Sequence, residues 1–395
     1  MPLTYECVTT RAAEFGPEFN SFEQFISDQN PARSFVISPS TSVDVNALKE
    51  VEADYISEFP EVYGSMFADA SYQSSPMVVT LFREAVLYLG NVLVVNIDQE
   101  HRSVLETIGE SIGCSVSASN EFLNVKKELG AAASTKIEIS SIQDINTIDG
   151  DYVVVMLSNV NNYAHWHVHN IAFIKWLCAH GQRILDGMNA EKFLVVFPHF
   201  GDGMGGEMKQ HYFNMLKEQI PIDLHSPNPQ DSPINLRNVL VSSTFNIDRG
   251  TNWAPYFKEV FESLRPEYDP SAPRLIYTNR GHARRRGAVN EEELEAALRL
   301  LGFSVLEPAK MSYGEQKRCF SNAELIVGGH GGALTNMVYS HRRPSVIELT
   351  HSYYGPVQYH WYRHLAAVIG GRHAPIVSKV PEPLQHKRLD EIYFE

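Results

Sequence analysis

The sequence predicts an α/β protein with two Rossmann-like domains, and three observations predict it. Helical and strand-like hydrophobic periods alternate through most of the chain, with no fixed-period repeat or low-complexity tract. A β-α-β-α-β-α-β run lies between Arg274 and Leu349, with crossovers of helical length, which implies right-handed parallel connections. The length of 395 residues, set against a typical domain of about 150, asks for two domains and an appendage.

Taken in order, residues 1–75 carry scattered Pro, Ser and acidic residues and are read as an arm or small subdomain. Residues 76–268 form the first Rossmann-like domain, with strand candidates at Asn91–Asn96, Tyr152–Leu157, Phe193–Phe197 and Asn238–Ser242. Between the second and third, residues 164–180 are predicted to be a helix closing before Gly181, with Ala172, Phe173, Trp176 and Leu177 on an apolar stripe. The loop-like segment 265–273, rich in Pro and polar residues, marks the boundary to a second domain over 269–371.

Its elements follow in turn. Arg274–Thr278 is a buried strand, and Asn290-Glu-Glu-Glu293 is a capping-box-like helix start. That helix carries Leu294, Ala297, Leu298 and Leu301 on one face and stops at Gly302. Phe303–Leu306 is the second strand, Ser312-x-x-Glu315 caps the next helix, and Glu324–Gly328 is a third strand ending in glycines. A helix follows over Gly332–Tyr339, then a fourth strand over Ser345–Leu349, and residues 372–395 are read as a tail. Ligands of such sheets lie at the carboxyl ends of the strands, which singles out Arg280, Glu307, Gly328–His330 and Glu348.

Composition narrows the function. The content of 44 % hydrophobic and 11 % aromatic residues supplies buried cores and sets disorder aside. A formal net charge of -14 repels polyanions, so no nucleic-acid partner is expected. Cys7, Cys114, Cys178 and Cys319 are too scattered for a local redox or thiolate-zinc site. The first residues lack a signal-peptide pattern, and the longest apolar run, near Ala85–Val95, falls short of the about 20 residues a membrane span needs. A cytoplasmic location is expected, with peripheral contact at the inner membrane left open.

The cluster Gly328-Gly-His-Gly-Gly332 joins a strand to a helix that opens with Ala-Leu-Thr-Asn336, so backbone N–H groups can face a phosphate or pyrophosphate. Gly329, His330, Gly331, Gly332, Thr335 and Asn336 are the candidate phosphate contacts, and Glu348 is placed to hold a ribose. A tight turn with a structural histidine is the plain alternative. Arg280, Arg284, Arg285 and Arg286 gather at one strand's exit in an otherwise acidic chain. Guanidinium groups grip phosphate oxygens bidentately and can support a diphosphate leaving group without a divalent metal, so no cofactor or metal is expected.

His165, His167 and His169 invite a zinc reading, which the helical spacing weakens because His167 points away from the other two. His165, in the first helical turn after a strand, is the candidate general base; His169 is read as structural. Four tryptophans, among them Trp166, Trp176 and Trp361, and the tyrosines at 353, 354, 359 and 362 are read as core, with sugar stacking as the alternative. Neither a Gly-x-Ser-x-Gly elbow, a Walker-type loop nor a kinase signature set occurs.

The string Leu325-Ile-Val-Gly-Gly-His-Gly-Gly-Ala-Leu-Thr-Asn336, followed by Val346-Ile-Glu-Leu349, resembles the signature of glycosyltransferase family 61. Its lead-in is similar too: Thr278-Asn-Arg280, Ala283-Arg-Arg-Arg286 and Asn290-Glu291, with Asn162-Tyr-Ala-His165-Trp166 upstream in the expected order. Gly331-Gly332-Ala333 departs from the family's more usual Gly-Ala-Gly.

The resemblance implies a GT-B enzyme, with an acceptor domain over 76–268 and a nucleotide-sugar donor domain over 269–371, and transfer with inversion at the anomeric carbon. It further implies His165 as base, with His330, Asp202 or Glu207 as competitors, and Arg280 and the loop around His330 on the departing diphosphate. The donor is expected to be UDP-linked, and the acceptor an oligosaccharide or lipid-linked glycan in capsule, lipopolysaccharide or exopolysaccharide synthesis. The alternatives are an epimerase or phosphate-transferring enzyme on the same fold, or a non-catalytic glycan- or nucleotide-binding protein.

Overall fold

A computed structural model describes residues 3–7, 17–30, 32–45, 48, 70–88, 92–96, 102–106, 135–139, 146–148, 150–157, 163–197, 204–226, 234–242, 253–280, 287–288, 290–351, 356–378 and 391–392. The chain is α/β throughout and divides into two compact units. Unit 1 comprises residues 1–39 and 76–250, and unit 2 comprises 40–75 and 251–395.

Unit 1 is built on β1 (Ala32–Ser38), β2 (Met77–Tyr88), β3 (Tyr152–Met156), helix α1 (Tyr163–Met188), β4 (Lys192–Val196), helix α2 (Met204–Gln219), β5 (Ile222–His225) and β6 (Ile234–Ser242). Strands β5, β4, β3 and β6 lie side by side and parallel, the third-second-first-fourth order of a Rossmann half-sheet. The sheet then continues antiparallel, with β2 on β6 and β1 on β2. The strand expected at 91–96 folds back antiparallel on the end of β2 as Val92–Asn96. This unit is therefore a mixed sheet with a parallel half.

Alternation along β3 and β4 divides its core. Val154, Met156, Leu194 and Val196 join Phe82, Leu236 and Val239 on one face. On α1, the stripe Ala172, Phe173, Trp176 and Leu177 is buried as expected. The helix continues past Gly181 to Met188, because the missing side chain there lets Ile220 and Phe193 approach; a Cβ at Gly181 would sit 2.9 Å from the Ile220 side chain. Part of the expected arm belongs here as well. The short helix Phe22–Ser27 sets the Phe22 ring 6.3 Å from that of Trp176, and buried Arg33 donates to the Phe25 and Ile26 carbonyls at 2.5 and 3.2 Å.

Unit 2 contains α3 (Tyr256–Leu264), β7 (Leu275–Thr278), α4 (Glu291–Leu300), β8 (Ser304–Leu306), α5 (Tyr313–Phe320), β9 (Leu325–Gly329), β10 (Ser345–His351), α6 (Pro356–Val368) and β11 (Arg372–Ser378). The described strands of this sheet run β8-β7-β9-β10-β11 and are all parallel, a second-first-third-fourth-fifth order whose direction of build-up reverses between β7 and β9. Helix α3, placed by sequence before the boundary at 268, belongs to this unit and buries Phe257, Val260, Phe261 and Leu264.

Several local expectations are corrected. Asn290 makes no side-chain cap bond, and Leu301 is 69 % exposed beyond the end of α4, where Gly302 (φ +88°) turns the chain. The capping box at Ser312 and Glu315 is formed. Gly332–Tyr339 is a 3-10 helix. Arg372–Ser378, expected in the tail, is the edge strand β11, and an edge is where Pro375 is tolerated. From the expected arm, residues 40–75 join this unit. Ser42–Asp44 pairs with Ser71–Gln73, the Tyr72 hydroxyl donates to the Trp253 carbonyl at 2.9 Å, and Leu48 N–H donates to the His373 carbonyl at 3.2 Å. No described helix is long and apolar enough to cross a membrane.

Candidate active site

The reversal between β7 and β9 gathers the site. Strand β7 ends at Thr278 and delivers Arg280; β9 ends at Gly329 and delivers His330, Gly331 and Gly332 into the 3-10 helix. In register, Gly328 faces Thr278, and a Cβ at Gly328 would collide with the Thr278 hydroxyl, so this glycine permits the close strand approach. One residue type thus fixes where both strand exits meet.

The turn is held by protein donors on its carbonyl side. Arg280 donates from Nη1 to the His330 carbonyl, and Tyr362 on α6 donates its hydroxyl to the Gly331 carbonyl at 2.5 Å. His330 N–H donates to the Leu349 carbonyl at 2.9 Å. Since the C=O and N–H of one trans peptide point oppositely, the Gly331 and Gly332 N–H groups face away from Arg280 and Tyr362, respectively. A Cβ at Gly331 would run into the Arg280 guanidinium, which therefore packs directly on the turn.

The first helix after β7 is not the anion site. Three glutamates, Glu291, Glu292 and Glu293, occupy the first turn of α4. Glu291 accepts from the Tyr277 hydroxyl at 2.7 Å and from Ala288 N–H at 3.1 Å, while Glu295 accepts from Asn279. Negative charge already satisfies that helix start.

Behind the turn runs a lateral chain across three strands. Glu348 on β10 is fully buried, with Oε1 on His330 Nδ1 and Oε2 at 2.7 Å from His373 Nε2 on β11. Burial would raise its carboxyl pKa. The His330 charge and the hydrogen bonds from both imidazoles outweigh burial and hold Glu348 below its ordinary range. Expected to hold a ribose, Glu348 instead has both oxygens committed to histidines, with no exposed surface. Sequence reasoning missed His373, which sits inside a strand assigned to the tail. Tyr362, expected in the core or on a sugar-stacking platform, braces the glycine turn through its hydroxyl.

Other candidates separate. Asn336 is buried and donates to Gln316 Oε1 at 2.9 Å, bracing the turn from α5. The Thr335 and Thr278 hydroxyls are buried without a hydrogen-bond partner. Glu307 pairs with Lys310 at 2.7 Å. Arg284, Arg285, Arg286 and Asp202 lie outside the described residues.

In unit 1, α1 begins after the carboxyl end of β3, at the reversal between β3 and β6, and His165 lies in its first turn. The side chains of His165 and His169 lie outside the described part of the structure. His167 is fully buried, its Nδ1 3.1 Å from Met208 Sδ and its ring stacked on Tyr163, so it belongs to the core. Glu207 is exposed in the first turn of α2. Nearby Lys209 is buried, and burial pushes its amine down to about 7.

In this α/β protein an arginine and a glycine turn meet where the parallel sheet of unit 2 reverses. Residues 163–347, a little under half of the chain, match the model of the Glycosyltransferase 61 family. Over that segment the chain is similar to glycosyltransferase family 61, a similarity that supports glycosyltransferase activity. A search of curated proteins finds no match. Glu348 and His373 lie just beyond the matched segment.

Proposed function

We propose that the protein is an inverting, GT-B-type glycosyltransferase. It moves a hexosyl or pentosyl group from a nucleotide-sugar donor, UDP-linked in this reading, to a glycan acceptor. Unit 2 holds the donor and unit 1 the acceptor. The carrying observation is the meeting of Arg280 with the His330–Gly332 turn at the reversal of the unit 2 sheet. A fixed guanidinium beside outward-facing turn amides suits a diphosphate, whose charge grows as the sugar leaves.

The reaction is then a single in-line displacement. The His165 imidazole takes the proton of an acceptor hydroxyl, and that oxygen attacks the anomeric carbon as the bond to the diphosphate breaks. The electron pair departs on the diphosphate, where Arg280, the amides of Gly331 and Gly332, and His330 Nε2–H meet it. His330 Nδ1 is committed to Glu348, so chemistry of this ring at a ligand belongs to Nε2. Arg284 is a further diphosphate contact in this reading. The arginines replace a divalent metal. The acceptor is an oligosaccharide or lipid-linked glycan of a cell-surface polysaccharide, presented at the cytoplasmic face of the inner membrane.

A thermal-shift panel of UDP, GDP, CMP, ADP and their common sugar conjugates, with and without EDTA, tests this reading, because a ligand bound only by the native state raises Tm. The expected result is stabilisation by one nucleotide class that survives EDTA and disappears in Arg280→Ala. Stabilisation that EDTA abolishes refutes the metal-free mechanism, and no shift with any nucleotide refutes the donor assignment.

A further inference from the structure

We propose that His373 is a positioning residue: through Glu348 it fixes the tautomer of His330 and directs any proton taken up by this cluster to His330 Nε2, the nitrogen that meets the ligand. The proposal rests on the donor-site reading above and adds a residue to it that lies outside the family match.

The geometry is asymmetric. One carboxylate, wholly buried, accepts from two imidazoles, and a carboxylate offers only acceptors. The nitrogen of each ring that faces it must therefore carry a hydrogen, Nδ1 in His330 and Nε2 in His373. The opposite nitrogens differ. His373 is 1 % exposed, and among the described residues its Nδ1 has no hydrogen-bond partner, so a proton there would be a buried donor with no described group to accept it. His330 is 9 % exposed and stands at the turn the donor diphosphate would occupy. A second proton on the cluster thus belongs on His330 Nε2, and His373 remains a neutral donor.

Three features keep the cluster in this state. The His373 carbonyl accepts from Leu48 N–H, which ties β11 at that residue. His373 and Glu348 sit two register positions apart on neighbouring parallel strands, which puts their side chains on one face of the sheet. The groups facing His330 are Glu348 from β10, the edge of the Tyr362 ring from α6 at 5.3 Å, and Arg280 from the exit of β7, whose guanidinium bonds to the His330 carbonyl. Arg280 opposes a positive ring and Glu348 favours one, and a second donor on Glu348 keeps that carboxylate pointed at His330. Carboxylates commonly orient catalytic imidazoles in this way; a second histidine fixing the carboxylate extends the chain by one member.

The test uses the full chain with 15N-labelled histidine, which reports the tautomer and protonation of each ring, and calorimetric titration with UDP, GDP, ADP and CMP. In the wild type His373 should carry its proton on Nε2 and His330 on Nδ1, and a second proton on the cluster should be found on His330 Nε2. His373→Gln, whose amide can still donate to Glu348, should keep the His330 Nδ1–H tautomer and bind the preferred nucleotide within about threefold of wild type. His373→Leu should mix the His330 tautomers and lose about tenfold in affinity, with a far-ultraviolet spectrum like that of the wild type. A His373 ring that becomes doubly protonated before His330 overturns the proposal, as does a His330 tautomer unchanged in His373→Leu. If none of the nucleotides binds the wild type, the donor-site reading fails, and the ring spectra still decide the role of His373.

Discussion

In unit 1 the parallel strands reverse their build-up between β3 and β6, and the chain leaves β3 for a helix of 26 residues whose first turn carries no acidic residue. In unit 2 they reverse between β7 and β9, and the chain leaves β9 through a glycine turn into a 3-10 helix. Two reversals of the same kind thus end in different local structure. The first presents His165 on a helix start. The second presents a turn whose carbonyls are tied to Arg280, Tyr362 and Leu334, beside a guanidinium and a buried His-Glu-His chain. Topology supplies the place for a ligand, and local residues decide whether that place handles a proton or a phosphate.

The largest expected effect separates these two roles. His165→Ala should lower kcat by about 10² to 10⁴, the usual contribution of a positioned base, and leave nucleotide-induced stabilisation intact. Arg280→Ala should lower kcat/KM by about 10² to 10³, as loss of a preorganised donor does, and abolish that stabilisation. Steady-state kinetics run beside thermal shifts measure both. Equal loss of nucleotide binding in the two variants would erase the division of labour between the reversals.

Much of unit 2 was legible in sequence because four of its strands are built on short apolar runs set between turn or cap signals. Arg274–Thr278, Phe303–Leu306, Glu324–Gly328 and Ser345–Leu349 correspond to β7 through β10, and the capping box at Ser312 formed. The meeting of Arg280 with His330 followed from reading strand ends alone. What could not be read were contacts across long sequence separations. Residues 40–75 fold with unit 2 because Tyr72 reaches Trp253 and the ring of His364, 4.0 Å away, neither of which local pattern announces. Gly181 looked like a helix stop, yet it is a close-packing position against Ile220. Glu348 looked like a ribose ligand, because an acid at a strand end is a ligand only if its oxygens face the crevice. Both face histidines, one of them on a strand whose proline had hidden it.

A smaller effect concerns stability in acid. The Glu348 carboxyl is held below its ordinary value of 4.5, because the His330 charge and the hydrogen bonds of the two histidines outweigh burial. A group depressed in the folded state contributes stability above its unfolded pKa and loses it as pH falls through the folded value. Unit 2 should therefore lose stability below about pH 4.5, and Glu348→Gln should flatten that loss. At neutral pH this variant places an amide donor against an imidazole donor, at a cost of about 1–3 kcal/mol. Thermal melts from pH 3 to 7 measure both. An unchanged acid limb in Glu348→Gln would locate the acid sensitivity elsewhere in the molecule.

The smallest effect tests whether the glycine turn is preorganised or merely present. Tyr362→Phe keeps the ring against His330 and removes one hydroxyl from the Gly331 carbonyl. A neutral hydrogen bond of this kind is worth about 0.5–1.5 kcal/mol, a loss of roughly threefold to tenfold in nucleotide affinity if the bond aims the turn amides at the ligand. The Gly331 carbonyl also accepts from Leu334 N–H at 3.0 Å, so it keeps a partner and the fold should hold. Calorimetric titration with the nucleotide that stabilises the wild type gives the affinity directly. A Tyr362→Phe protein that binds it as the wild type does would show that Arg280 and Leu334 suffice to set the turn, which would concentrate the anchoring of the unit 2 reversal at the exit of β7.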